Sequence, residues 1–97
     1  MVYIDFSGIG SKQELHALLK EKLSLPEYYG NNLDALYDCL TDISDYTEIV
    51  LFNINGMVSI LGRYADALKN VFSDAEAAND CLHVKYLESN GEDVLDF

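Results

Sequence analysis

The chain has 97 residues, 49% of them hydrophobic, which allows one domain with a modest core. Its formal net charge of −11 argues against nucleic acid or an anionic membrane as a direct partner, because both are polyanions. No apolar run approaches ~18 residues, and the first residues lack a basic segment followed by an apolar core. We therefore predict no membrane span and no secretory signal, and expect cytoplasmic residence.

The N-terminal part of the chain predicts a strand followed by a helix. Val2 to Phe6 combines β-branched and aromatic residues, which is typical of a strand. Ser11 and Glu14 form a capping box that begins a helix, and the helix is predicted to end shortly before Pro26. Its apolar stripe consists of Leu15, Leu18, Leu19 and Leu23. His16 lies off this stripe, so we expect it to be solvated.

A turn with two adjacent tyrosines, Tyr28 and Tyr29, follows between Glu27 and Gly30. The tyrosines are either lids over a small core or exposed contacts, because tyrosine is over-represented at protein interfaces. Gly30 indicates either a positive φ angle or a close approach of the backbone.

A second helix, capped by Asn31 or Asn32, is predicted to have two different faces. One face is apolar, with residues at i, i+3, i+4 and i+7: Leu33, Leu36, Tyr37 and Leu40. A second face carries carboxylates at i, i+4 and i+8, here called the acidic row: Asp34, Asp38 and Asp42. Neighbouring like charges repel by roughly 0.2–0.5 kcal/mol per pair, and no lysine or arginine occurs between Lys22 and Arg63 to offset this. A self-repelling acidic face beside tyrosines favours binding of a basic partner.

The remainder of the chain predicts two more strands around a helical region. Glu48 to Phe52 is nearly continuously apolar, as in a buried strand, and Leu82 to Leu87 is the third strand. Apolar residues at helical spacing from Met57 to Ala78 predict one or two helices, with a break at Gly62. Three strands separated by helices predict the α/β class with a parallel sheet. Residues 89–97 form an acidic tail.

The cysteines and carboxylates also suggest other kinds of chemistry. Cys39 and Cys81 are predicted to be reduced and partly buried, since neither has a sequence signature that pairs it with a histidine or a metal. Asp34 and Asp38 could form an acid/base pair, and the acidic stretches could bind calcium, although the spacing of an EF-hand is absent. From the residues alone, a solvated acidic face is the leading interpretation. We expect no catalytic residue, cofactor or metal.

The segment LPEYYGNNLDALYDCL, residues 25–40, closely resembles the binding segment of the barstar family, intracellular inhibitors of secreted barnase-like ribonucleases. The resemblance extends more loosely over about nine-tenths of the chain, including both cysteines and the order of elements. It implies a small three-stranded parallel sheet with crossover helices, an inhibitor domain over residues 1–88 and no enzymatic activity. The tail after Leu87 has no recognisable counterpart in the family.

The resemblance also implies a set of target-binding residues: Tyr28, Gly30, Asn32, Leu33, Asp34, Ala35 and Asp38. Asp38 matches the family's main anchoring carboxylate, and we add Tyr29, Tyr37 and Asp74 as expected contacts. Three positions depart from the family. Tyr37 replaces a tryptophan and Asp74 replaces a glutamate, while the position of a further family glutamate falls by Ala78 in this chain.

The implied function is inhibition of a basic ribonuclease, whose active site would be blocked by carboxylates in the place of substrate phosphates. We expect a chain that is monomeric alone and binds its target 1:1. The alternatives are an immunity protein for a different basic toxin domain, and an acidic interaction module that inhibits nothing.

Overall fold

Strands and helices alternate along residues 1–87, which are the residues described by the computed structural model of the chain. The strands are β1 (Val2–Asp5), β2 (Thr47–Phe52) and β3 (Leu82–Leu87), and the α-helices are α1 (Lys12–Leu23), α2 (Leu33–Thr41), α3 (Val58–Leu61) and α4 (Arg63–Ala78). A 3₁₀ helix, Ile54–Met57, precedes α3. The predicted acidic tail, residues 89–97, lies outside the described residues.

The three strands form one parallel sheet in the order β1-β2-β3, so β2 is central. Ile4 of β1 pairs with Leu51 of β2, and Leu51 pairs with Tyr86 of β3. Each parallel pair needs a crossover connection, and helices α1 and α2 supply the first while α3 and α4 supply the second. The predicted α/β class and parallel sheet are confirmed.

A single apolar core lies between the sheet and the helices. Its fully buried large side chains come from every layer: Ile4, Phe6, Leu15, Leu19, Leu36, Leu40, Ile49, Leu51, Ile54, Met57, Leu68 and Phe72. Helix α2 packs against α4, and the buried Leu36 and Leu40 belong to the apolar face that the sequence predicts. The opposite side of α2 is therefore left facing outward. No helix within residues 1–87 has the length and apolar character that a bilayer crossing requires.

Helix α1 begins at the predicted cap but buries a wider face than its leucines indicate. The Oγ of Ser11 accepts a hydrogen bond from the Glu14 backbone N–H at 3.1 Å, while the Glu14 carboxylate accepts from the N–H of Gly10 at 2.7 Å. His16 is 2% exposed, so the prediction that it is solvated is wrong. It lies three residues before Leu19 and thus on the same side of the helix.

The predicted helix break at Gly62 is confirmed. Helix α3 ends before this glycine and α4 begins after it, and Gly62 has a φ of 56°, in the region that favours glycine.

Candidate target-binding site

The turn before α2 exposes one tyrosine and buries the other. The backbone N–H of Tyr29 donates to the carbonyl of Pro26 at 2.9 Å, which closes the turn. Tyr28 is 87% exposed, whereas Tyr29 is 5% exposed and belongs to the core. Tyr28 is thus available to a partner. Tyr29, which we expected among the contacts, is instead a buried support of the turn.

The N-terminus of α2 is fixed by Asn32. Its Oδ1 accepts a hydrogen bond from the Ala35 backbone N–H at 2.8 Å, and its Nδ2 donates to the carbonyl of Gly30 at 3.1 Å. Of the two predicted caps, Asn32 is the actual one, while Asn31 has the positive φ of 54°. Gly30 has no positive φ, but a Cβ there would lie 3.0 Å from the Asn32 Nδ2. Close approach is therefore the reason for the glycine.

The acidic row lies on the exposed side of α2. Asp34, Asp38 and Asp42 are all exposed, while Leu33 and Tyr37 are half-buried at the border of the core. The two predicted faces of this helix are thus confirmed. Carboxylates four residues apart are separated by about 6 Å along the helix axis.

No cation within residues 1–87 neutralises this row. The ion pair found there joins the Lys20 Nζ to Glu27 at 4.0 Å, and both side chains are exposed. Residues 88–97 contain no lysine, arginine or histidine. Asp34 lies in the first turn of α2, where the positive end of the helix dipole favours a carboxylate, but Asp38 and Asp42 lie too far along for that benefit. The row therefore repels itself in the free protein.

The C-terminal end of α2 is held by two polar side chains. The Thr41 hydroxyl donates to the Tyr37 carbonyl at 2.9 Å. The Nδ2 of Asn79 donates to the carbonyls of Leu40 and Ile43 at 3.0 and 2.9 Å, and its Oδ1 accepts from the N–H of Cys81 at 3.0 Å. Asn79 is buried and joins α2 to the start of β3, a role that nothing in the local sequence indicated.

Asp74 is exposed on α4, the helix that packs against α2. The Asp74 carboxylate is therefore accessible to a partner. Among the expected contacts, Tyr28, Gly30, Asn32, Asp34, Asp38 and Asp74 are exposed, and Leu33, Ala35 and Tyr37 are half-buried.

Two comparisons with known proteins indicate the family of the chain. A family model described as "Barstar (barnase inhibitor)" matches residues 1–89. The chain belongs to the barstar family. It is also 42% identical, over 76 residues, to a Bacillus subtilis (strain 168) protein named "Putative ribonuclease inhibitor YrdF". That alignment covers 77% of this chain and 84% of the relative. Because this is a family of inhibitors, we assign no enzymatic role to the chain.

A buried histidine connects the turn to the rest of this barstar-family domain. The Nδ1 of His16 lies 2.6 Å from the Tyr29 hydroxyl, and its Nε2 lies 2.6 Å from the Tyr64 hydroxyl. Burial lowers the pKa of His16 and raises the pKa of Tyr64. Burial also raises the pKa of Tyr29 above its ordinary value. No local sequence pattern indicates this cluster, because its bonds span 13 and 48 residues.

Both cysteines are free thiols and partly buried, as predicted. Burial raises the pKa of the Cys39 thiol, and the nearby Asp38 and Asp42 carboxylates raise it further. Cys39 lines a groove of about 360 Å³ together with Tyr28 and Asp42. Within residues 1–87, no group of three or more histidine, cysteine or acidic side chains is arranged to hold a metal.

Proposed function

We propose that this barstar-family protein inhibits a basic, barnase-like ribonuclease by placing the turn at Tyr28 and the acidic row of α2 in the enzyme's active site. The observation that carries the proposal is the exposed, unneutralised row of Asp34, Asp38 and Asp42 beside an 87% exposed tyrosine. The family membership and the name of the Bacillus subtilis relative support the same direction.

The electrostatic argument begins with the substrate of the target. A ribonuclease binds a polyanion, so its active site must present cationic side chains to phosphate groups. Carboxylates of Asp34 and Asp38, about 6 Å apart along a helix, have a spacing comparable with that of successive phosphates on an extended strand. They can therefore accept the hydrogen bonds that the enzyme offers to RNA. A net charge of −11 accelerates the encounter with such a cationic site.

The rigidity of the acidic row supports the proposal further. The Asn32 cap fixes the start of α2, while Thr41 and Asn79 hold its end. Carboxylates on a fixed helix lose little conformational freedom on binding, which leaves more of the interaction energy for affinity. Tyr28 adds a large amphipathic surface with only two side-chain torsions, a property that favours tyrosine at binding interfaces.

The substitution that tests the proposal is Asp38→Ala. In the free protein it removes repulsion from Asp34 and Asp42, so the unfolding midpoint should be unchanged or slightly raised. In the complex it leaves cationic groups of the enzyme without a partner, which costs about 2–5 kcal/mol, a range that the complex of barnase with barstar itself helped to define. Inhibition should then weaken by roughly 30-fold to several thousand-fold.

Asp42→Ala is the matched control, because it removes the same charge from the same face one turn further along α2. We expect it to weaken inhibition much less than Asp38→Ala. The measurements are thermal unfolding of each variant and titration of ribonuclease activity with each variant. Unfolding of the domain by Asp38→Ala would show a structural residue, and unimpaired inhibition would refute phosphate mimicry.

A second candidate is an immunity protein for a basic toxin domain with a different activity. The observation that favours it is that Tyr37, Asp74 and Ala78, all outside the central carboxylates, depart from the family pattern. These changes alter the border of the site and leave Asp38 in place. Tight binding of a basic non-ribonuclease toxin domain, with no inhibition of a barnase-like enzyme, would decide for this candidate.

A further inference from the structure

The buried hydrogen bonds of His16 join three separate parts of the molecule. His16 belongs to α1, Tyr29 to the turn before α2, and Tyr64 to the first turns of α4. Both ring nitrogens of His16 lie 2.6 Å from a tyrosine hydroxyl, and the imidazole ring also contacts both tyrosine rings, with centroids 5.7 and 5.9 Å away. These contacts therefore couple the conformation of the turn to the positions of α1 and α4.

Tyr29 is the point at which these contacts meet the proposed binding surface. It lies between the exposed Tyr28 and Gly30, and its backbone N–H closes the turn on Pro26. A displacement of the Tyr29 ring therefore moves the backbone that carries Tyr28. His16 and Tyr64 belong to α1 and α4, whereas the acidic row runs along α2, and neither residue is among the expected contacts. We therefore expect any effect they have on binding to be indirect.

We propose that His16 and Tyr64 are positioning residues that fix the target-binding turn through the Tyr29 hydroxyl, and that they do so only while His16 is neutral. The inference rests on the proposed function for its effect on binding. The positioning of the turn by His16 and Tyr64 is a property of the free protein, so it can be tested separately from binding of the target.

The dependence on charge follows from hydrogen-bond chemistry. A neutral imidazole has one N–H donor and one nitrogen acceptor, so it can donate to one tyrosine hydroxyl and accept from the other. A protonated imidazole donates from both nitrogens, and one tyrosine O–H then loses its acceptor in a buried place.

The groups around His16 also disfavour its protonation. The Lys12 Nζ lies 4.4 Å from the centroid of the Tyr64 ring, and both Lys12 and Lys20 line the same surface depression as His16. Towards the turn, the titratable neighbour of Tyr29 is the Cys39 thiol. No carboxylate within residues 1–87 forms an ion pair with the imidazole. Burial lowers the pKa of His16, so the bonds are intact at and above the ordinary histidine value of about 6.5 and are lost as pH falls through the lowered value.

The first experiment uses the free protein at pH 7.5. Amide hydrogen exchange is measured by NMR in the parent, Tyr29→Phe and Tyr64→Phe, which each remove one hydroxyl and keep the ring. Exchange of the Tyr29 amide should accelerate by roughly two- to tenfold, the equivalent of one hydrogen bond, with a larger effect in Tyr29→Phe. Tyr86→Phe is the matched control, because the Tyr86 hydroxyl bonds only to Ser73 and Lys69 within the described residues.

The exchange pattern separates positioning from general stability. A positioning role predicts faster exchange in the turn while amides of the central strand β2 exchange as in the parent. Equal acceleration throughout the molecule, or turn amides unchanged in Tyr29→Phe, would overturn the inference whatever the protein binds.

The second experiment measures the dissociation constant for a barnase-like ribonuclease between pH 5 and 8, under conditions where circular dichroism shows every variant folded. The ratio of the Tyr29→Phe constant to the parent constant cancels the titration of the enzyme. It should be roughly two- to tenfold at pH 7.5 and should decrease as His16 becomes protonated, because protonation leaves one tyrosine O–H of the parent without an acceptor. A ratio that stays constant while NMR shows His16 becoming protonated would refute the role of neutral His16. A parent that binds no ribonuclease refutes the proposed function instead, and the exchange experiment still decides the inference.

Discussion

Asn79 offers a test of how the binding helix is anchored to the domain. Its side chain makes three hydrogen bonds, to the carbonyls of Leu40 and Ile43 and from the N–H of Cys81, and only 9% of the residue is exposed. Asn79→Ala removes all three bonds and leaves their partners without a replacement. At about 0.5–1.5 kcal/mol per bond, the unfolding free energy should fall by roughly 1.5–4.5 kcal/mol.

For a domain of this size, 1 kcal/mol shifts the midpoint by roughly 4–8 °C, so a central loss of about 3 kcal/mol lowers the Tm by roughly 12–24 °C. Urea denaturation at pH 7 measures the loss of unfolding free energy, and thermal unfolding at the same pH measures the change in Tm. Asn70→Ala is the control, because Asn70 is exposed on α4, the helix that ends just before Asn79, and its replacement should change stability by no more than about 0.5 kcal/mol.

Asn79→Asp tests the donor role of the Asn79 Nδ2 separately from the acceptor role of its Oδ1. The aspartate keeps an oxygen that can accept from the N–H of Cys81, but it places a carboxylate oxygen where Nδ2 faces the carbonyls of Leu40 and Ile43. The loss of stability of Asn79→Asp relative to the parent should become smaller as pH falls, since a protonated carboxyl regains a hydrogen-bond donor. A Tm of Asn79→Ala within about 3 °C of the parent would refute the account of Asn79 as an anchor.

Two further predictions concern the thiols and the encounter with the target. The double variant Cys39→Ala, Cys81→Ala should stay folded and inhibit as the parent does, and loss of inhibition by the folded double variant would contradict this prediction. In the parent, Cys39 should react slowly with a thiol reagent at pH 7, because the pKa of its thiol is raised. The association rate with the ribonuclease should fall as salt rises, because exposed charges are screened over about 8 Å at physiological ionic strength, and stopped-flow rates that do not change with salt would remove the steering argument.

The elements of this fold could be predicted because their signals are local. Periodicity alone indicated the buried and exposed faces of α2, and the alternation of strands and helices indicated the parallel sheet. The predicted span of β3, Leu82–Leu87, agrees with the structure residue for residue. Each of these signals lies within one window of a few turns or one strand.

The errors concern side chains whose partners are distant in sequence. His16 was expected in solvent and Tyr29 at the interface, but both are buried. They bond to each other across 13 residues, and His16 also bonds to the Tyr64 hydroxyl, 48 residues after it. Asn79 reaches back across 39 residues to Leu40. Of the two alternatives predicted for Gly30, the close approach is the one found, and the positive φ lies at Asn31 instead. The roles of the exposed residues in target binding stay predictions.

The central claim is that α2 occupies the positions of substrate phosphates, and competition tests it most directly. The dissociation constant for a barnase-like ribonuclease is measured with increasing concentrations of a nucleoside 3′-monophosphate that binds the active site. Mutually exclusive binding predicts that a nucleotide concentration of about ten times its own dissociation constant raises the apparent constant of the inhibitor about tenfold. An apparent constant that does not change, with nucleotide, enzyme and inhibitor in one ternary complex, would contradict the claim.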